Sequence, residues 1–142
     1  MEKLIKLLSE NEICYIATCS NNIPRATPME YVVVNGSLIF STRGNTNKDK
    51  NLKENNRISV AVNNMPVFVT IDGVTETPSA DEIRECGKIY LARHPELANE
   101  PELVEAIKSG SLHYYKLVPS VAYYTDYSQD IISEVIHVED KK

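Results

Sequence analysis

The residues best placed to do chemistry are the cations of one short window. Between positions 43 and 57 the chain carries Arg43, Lys48, Lys50, Lys53 and Arg57 against only Asp49 and Glu54, a local net charge of +3. The whole chain carries -5, so this window is a positive island on an acidic protein. So compact a patch suits one small anion, a phosphate group above all, better than a long polyanion. Just before the lysines, Asn45-Thr46-Asn47 supplies cap-forming side chains, which predicts a helix over Lys48–Glu54. A helix N-terminus presents unpaired N–H groups and partial positive charge. Lys48 and Lys50 in that first turn are locally unfavourable unless an anion joins them, and a phosphate would accept from amides and lysines together. Arg25 precedes a strand and approaches from the adjacent element. Thr42 ends the next strand and adds a hydroxyl. The competing reading is a solvated lysine-rich helix balanced by Asp49 and Glu54; spacing alone does not choose between them.

Elsewhere the reactive residue types are scattered. The three cysteines, Cys14, Cys19 and Cys86, are an odd number without metal-ligand spacing, as expected of a reducing compartment. Cys14 and Cys19 fall on one strand and point to opposite faces. His94, His113 and His137 have no neighbouring ligand at useful spacing, so no metal site is expected. No side chain stands out as an acid or base. The eight tyrosines, among them Tyr31, Tyr114, Tyr115, Tyr123, Tyr124 and Tyr127, read first as packing and interface residues.

The elements that must position the cationic window come in two textures. Residues 1–9 form a short helix with Leu4, Ile5 and Leu8 on one face. Ile13–Cys19 reads as a strand, Ser20-Asn21-Asn22 as a turn, and Ala26–Val34 as the next strand. Asn35-Gly36 is a strong hairpin signal, and Ser37–Thr42 pairs back across it. Arg57–Val62 alternates as a half-buried strand does. Val67–Thr77 follows, with Asp72-Gly73 as a bulge or bend. Ser79-Ala80-Asp81-Glu82 is a capping box that opens a helix, within which Gly87 permits close packing. His94-Pro95 ends that helix, and Pro101 begins another that ends near Gly110. Strands return at Leu112–Val118, Val121–Thr125 and Ile131–Val138. Short strands in hairpin order with late helices imply a mainly β barrel with peripheral helices.

Composition narrows the function classes. The chain has 142 residues, 42% hydrophobic and 25% charged, which suits one globular domain over residues 1–142. Its acidic balance argues against general nucleic-acid or anionic-membrane binding. No apolar run approaches the roughly 20 residues of a membrane span, and the N-terminal stretch lacks the pattern of a signal peptide. A cytoplasmic protein is expected.

The tracts Ile23-Pro24-Arg25-Ala26-Thr27-Pro28-Met29, Leu38-Ile39-Phe40-Ser41-Thr42, Asn47-Lys48-Asp49-Lys50-Asn51-Leu52 and Asn56-Arg57-Ile58-Ser59-Val60 together resemble the pyridoxamine 5′-phosphate oxidase-related, FMN-binding split-barrel family. Tyr115-Lys116-Leu117-Val118-Pro119 followed by Val121-Ala122-Tyr123 resembles the family's closing strands. The likeness covers about residues 12–126 and is strongest over 23–62. It implies a split β-barrel of about six antiparallel strands with peripheral helices, one N-terminal and two inserted at about 79–109. It also implies a homodimer with FMN at the subunit interface. By position, Arg25 and Lys48 would hold the phosphate, with Ser41, Thr42 and Asn47 at the same end. The strand Arg25, Ala26, Thr27, Pro28, Met29 would run beside the flavin ring, and Met65–Phe68 would face the partner's flavin.

The departures matter as much. Where true oxidases of this kind end the arginine-led strand tract in lysine, this chain has Glu30. Where an arginine precedes Lys48 it has Asn47, with Arg43 nearby as a substitute. It has no tryptophan and lacks the family's Trp- and Arg-bearing C-terminal region, so vitamin B6 phosphate oxidation is not expected. The resemblance points to an FMN-dependent oxidoreductase that takes electrons from a reduced nicotinamide to a small acceptor. The alternatives are a non-catalytic flavin-binding or stress-related module, a cleft holding deazaflavin or haem, and a structural dimer without cofactor.

Overall fold

The computed structural model describes residues 1–138 apart from Gly110, Gln129 and Ile131. In chain order the elements are α1 (Glu2–Ser9), β1 (Ile13–Ser20), β2 (Ile23–Glu30), β3 (Val32–Val34), β4 (Ser37–Arg43), α2 (Asn47–Glu54), β5 (Arg57–Asn64), β6 (Val67–Glu76), α3 (Ala80–Arg93), a 3₁₀ turn (Pro95–Asn99), α4 (Pro101–Ser109), β7 (Leu112–Asp126) and β8 (Ile132–His137). The strands form one antiparallel sheet in the order β2-β1-β5-β6-β7-β4-β3, with β8 paired to β7. The two ends of that path, β2 and β3, are separated in the chain only by Tyr31. The sheet must therefore curl until its edges meet there. This is a split barrel.

Period-two alternation fills the barrel. Cys14 and Ile16 of β1, Leu38 and Phe40 of β4, Ile58, Val60 and Val62 of β5, and Val69 and Ile71 of β6 all join one buried core. α1 plugs an end of it with Leu4, Leu7 and Leu8, each worth about 1.5–3 kcal/mol on burial. Tyr31, at the seam, is 1% exposed and donates its hydroxyl to Leu8 O at 2.7 Å. A smaller core forms on the other face of β3 and β4, where Val32, Val34 and Ile39 pack with Cys86 of α3. A Cβ at Gly87 would lie 3.4 Å from Ile107 of α4, the close approach expected of a glycine in this helix.

Among the described residues eight strands stand where the resemblance implies about six, and the strand divisions differ in two places. The stretch read as one strand over Ala26–Val34 begins earlier, at Ile23, and divides at buried Tyr31 into β2 and β3. The stretches Leu112–Val118 and Val121–Thr125 are one continuous strand. Pro119, which lacks an N–H, sits where the register against β6 shifts, opposite Gly73. Ser120 is the extra residue there, and its hydroxyl donates to Asp72 O at 2.9 Å. Asp72-Gly73 is thus the bulge site, with the inserted residue carried by β7. A Cβ at Gly73 would fall 2.2 Å from Val118 O, so the close crossing requires glycine. The final strand begins at Ile132; Ile131 and Gly110 lie outside the described residues. Among the described residues no helix is long and apolar enough to cross a membrane.

Candidate functional site

The start of α2 is built by local side-chain chemistry. Thr46 is its N-cap, and its hydroxyl accepts from Asp49 N at 3.2 Å. The Asp49 carboxylate in turn accepts from Asn45 N at 3.0 Å. Asn47 and Lys48 are the first two helical residues, and their amides have no intrahelical acceptor. The helix is fixed along β1 by Asn51 Nδ2 donating to the Thr18 hydroxyl at 3.1 Å and Asn55 Nδ2 donating to Cys19 O at 3.0 Å. Thr18 pairs in register with Arg25, so the same contacts carry Arg25 to the helix start.

The result is a polar cleft of about 500 Å³ lined by Arg25, Ala26, Thr27, Asn45, Thr46, Asn47 and Lys48. Among the described residues no carboxylate is in its wall. Two cations and the helix N-terminus therefore set its potential, and an anion is the complementary guest. Five sequence-selected residues meet here: Arg25, Ala26, Thr27, Asn47 and Lys48. Thr42 is joined to the cleft through its hydroxyl, 2.9 Å from that of Thr46. Pro28, Met29 and Ser41 instead border a neighbouring cavity of about 420 Å³, which Thr42 and Arg43 also reach. Arg43 thus stands at the second cavity and not at the first. Met65 lies on the β5–β6 hairpin and is 64% exposed.

One expectation is corrected. The first turn of α2 does contain its stabilising acid, because Asp49 is no solvated partner of the lysines. It is 0% exposed. Besides the Asn45 amide it accepts from the Tyr115 hydroxyl at 2.6 Å, from His113 Nδ1 at 2.7 Å and from Lys53 Nζ at 3.2 Å. Burial alone would raise its pKa; the hydrogen bonds from Tyr115, His113, Asn45 and Lys53 outweigh it and hold the carboxyl well below the usual carboxylate range. Burial and the Asp49 charge push the Tyr115 phenol up. The sequence offered one signal of this cluster, the cap-forming Asn45-Thr46, but His113 and Tyr115 arrive from more than 60 residues away.

Glu30 is also engaged. His94 Nε2 lies 2.8 Å from both of its oxygens, and Arg93 Nη1 lies 3.4 Å away while donating to Tyr31 O at 2.6 Å. The hydrogen bond to Glu30 raises the His94 pKa. Burial pushes the Cys14 thiol up to about 12 and that of Cys86 to about 11, so neither is an activated nucleophile. Among the described residues no three His, Cys, Asp or Glu side chains gather as a metal site.

The family model of pyridoxamine 5′-phosphate oxidase matches residues 1–125. No curated protein sequence matches the chain significantly. Among solved structures, a conserved hypothetical protein from Mycobacterium tuberculosis superposes with a TM-score of 0.75 at 17% identity, covering 89% of this chain and 84% of that one. A heme binding protein from Mycobacterium smegmatis gives 0.72 at 17% identity over 94% of this chain and 56% of its own. A FAD-binding protein from Mesorhizobium loti gives 0.67 at 16% identity, covering 87% and 91%.

Proposed function

The chain belongs to the pyridoxamine 5′-phosphate oxidase family, and from that premise we propose that it is an FMN-binding oxidoreductase passing electrons from a reduced nicotinamide to a small acceptor. The observation that carries this reading is the cleft at the start of α2, where Arg25, Lys48 and the first-turn amides converge without an opposing carboxylate. That donor set fits a phosphate dianion, which needs several hydrogen bonds and two units of counter-charge. Thr46, held by Thr42 and by the Asp49 amide, keeps the helix end rigid. β2 leads from this cleft at Ala26 and Thr27 to the second cavity at Pro28 and Met29, so one strand borders both. Bound there, FMN would supply two-electron transfer between donor and acceptor, with nearby main-chain groups adjusting its reactivity. The flavin-binding neighbour from Mesorhizobium loti supports the cofactor class.

A homodimer with the flavin between subunits belongs to the same proposal. A largely apolar row, interrupted by Thr70, crosses the outer face of the sheet in register, from Tyr15 through Ala61 and Thr70 to Tyr123 and Val135. Tyr15, Tyr123 and Val135 in it are about half exposed (53%, 46% and 53%), as an unpaired interface would leave them. Pyridoxamine phosphate is not the substrate we propose, because Glu30 places a carboxylate where the oxidases carry lysine. Anaerobic mixing with NADH and with NADPH tests the redox step. Bleaching of the flavin band with either supports it; a bound flavin that neither donor reduces would leave a flavin-binding module instead.

A further inference from the structure

A third, larger cavity of about 930 Å³ opens between the helical insert and the sheet, within the range of about 300–1,000 Å³ usual for small-molecule sites. Its wall combines Leu52, Ile83, Leu91, Ile107 and Leu112 with His113. Arg84 and Lys88 also line it; Arg84 is paired with Asp81, whereas among the described residues Lys88 has no ion-pair partner. Glu76 faces it too, but lies 3.6 Å from Lys116. The charge balance of this wall therefore favours an anion, and its body is apolar.

His113 is the directed polar group. Its Nδ1 lies 2.7 Å from buried Asp49, which accepts only, so Nδ1 carries the proton and the tautomer is fixed. Among the described residues Nε2 has no hydrogen-bond partner. The ring lies against Gly44, where a Cβ would come within 3.1 Å of Cε1, so the glycine makes room for it. An oriented imidazole with its far edge uncommitted, in the wall of an apolar cavity with a cationic rim, is a recognition element that packing does not require.

We propose that this cavity binds a monocarboxylic acid with an apolar body, its carboxyl proton lying between the carboxyl group and Nε2 of His113, with Lys88 attracting the carboxyl end. Leu52, Ile83, Leu91, Ile107 and Leu112 enclose the body. Asp49 is a positioning residue that acts through the His113 ring. The site does not depend on the flavin reading, since none of the cleft residues Arg25, Asn47 or Lys48 lines it.

Calorimetric titration of the full chain, as purified, with decanoate and with naphthoate tests the assignment. Binding of either acid is expected, and comparing the two shows whether a linear or an aromatic body fits. Decanol, which keeps the tail and removes the charge, should bind at least about tenfold more weakly, the loss typical of one charge-assisted hydrogen bond. His113→Gln should weaken the acid about tenfold and leave decanol unchanged. Lys88→Ala, on an exposed position, should weaken the acid in the same direction without threatening the fold. Asp49→Asn should alter the nitrogen NMR tautomer signature of His113 and weaken the acid, again sparing decanol. Failure of both acids to bind, or equal affinity for decanoate and decanol, overturns the proposal. So does a His113→Gln protein that binds decanoate as the original does.

Discussion

Replacing Asp49 by asparagine changes almost no volume, yet the surroundings of this side chain make it an expensive substitution. The carboxylate is fully buried and accepts from Tyr115, His113, the Asn45 amide and Lys53. The Lys53 side chain is 55% exposed, so its share is that of a surface pair, about 0–1 kcal/mol. The other three are hydrogen bonds to a charged acceptor, about 1.5–3 kcal/mol each. An amide keeps one acceptor oxygen and turns an N–H pair toward donors that have nowhere else to go. Losing one to two of the three bonds, with a donor left facing a donor, gives a cost of about 3–5 kcal/mol. That is a large part of the about 5–15 kcal/mol that holds a domain together, and it lowers Tm by roughly 10–20 °C at this chain length. Urea unfolding followed by circular dichroism at pH 7 measures it. Asp81→Asn, in an exposed pair with Arg84, is the control and should cost less than about 1 kcal/mol. The pH dependence sharpens the test. Asp49 has a lower pKa folded than unfolded, so its contribution is complete above the unfolded value, about 3.9. It is lost as pH falls below that toward the folded value. The gap between the original protein and Asp49→Asn should therefore narrow on acidification below about pH 4. A cost under about 1 kcal/mol at pH 7, or a gap that does not narrow, would refute Asp49 as the ionised acceptor of this network.

Three further outcomes are expected. Arg25→Ala with Lys48→Ala should empty the flavin cleft while the far-ultraviolet spectrum and the dimer stay intact; each single change should weaken FMN about tenfold or more, and full retention in the double variant would mean the phosphate sits elsewhere. Gly73→Ala forces a Cβ into Val118 O, 2.2 Å away in the unrelaxed backbone, and should destabilise by about 1–3 kcal/mol in urea, whereas a neutral result would mean the β6–β7 crossing is looser. In proton NMR His94 should titrate above its ordinary value and move back down in Glu30→Gln; because its pKa is raised in the fold, the stabilisation from this contact is complete below the unfolded value, about 6.5, and fades as pH rises through the folded one. An unchanged His94 midpoint in Glu30→Gln would remove Glu30 as the cause.

Much of the scaffold could be read from short stretches because its determinants are local. Asn35 and Gly36 both take positive φ, 51° and 78°, as their hairpin turn demands. Ser79 and Glu82 exchange hydrogen bonds across the helix start as a capping box does. Thr46 caps α2, which starts at Asn47, one residue ahead of the expected Lys48. The gathering of Arg25 with Lys48 follows from an order of motifs, since a hairpin and a capped helix bring them together. Asp49 was out of reach for the opposite reason. In sequence it is a surface acid four residues before Lys53, and only the β4–β7 register, which pairs Thr42 with His113, brings its buried partners within reach. The expected break between Val118 and Val121 is absent for the same reason: the bulge opposite Gly73 lets β7 run through Pro119. Where a position is decided by its neighbours in the chain the sequence speaks. Where it is decided by register across the barrel, it does not.

The central claim is that the cleft of Arg25, Lys48 and the α2 N-terminus holds the phosphate of FMN. The most direct test is the absorption spectrum of the purified protein, with the mass of whatever denaturation releases. The account predicts flavin bands and release of FMN. A colourless protein that also fails to take up added FMN would contradict it, and the oxidoreductase reading would fall with the cofactor.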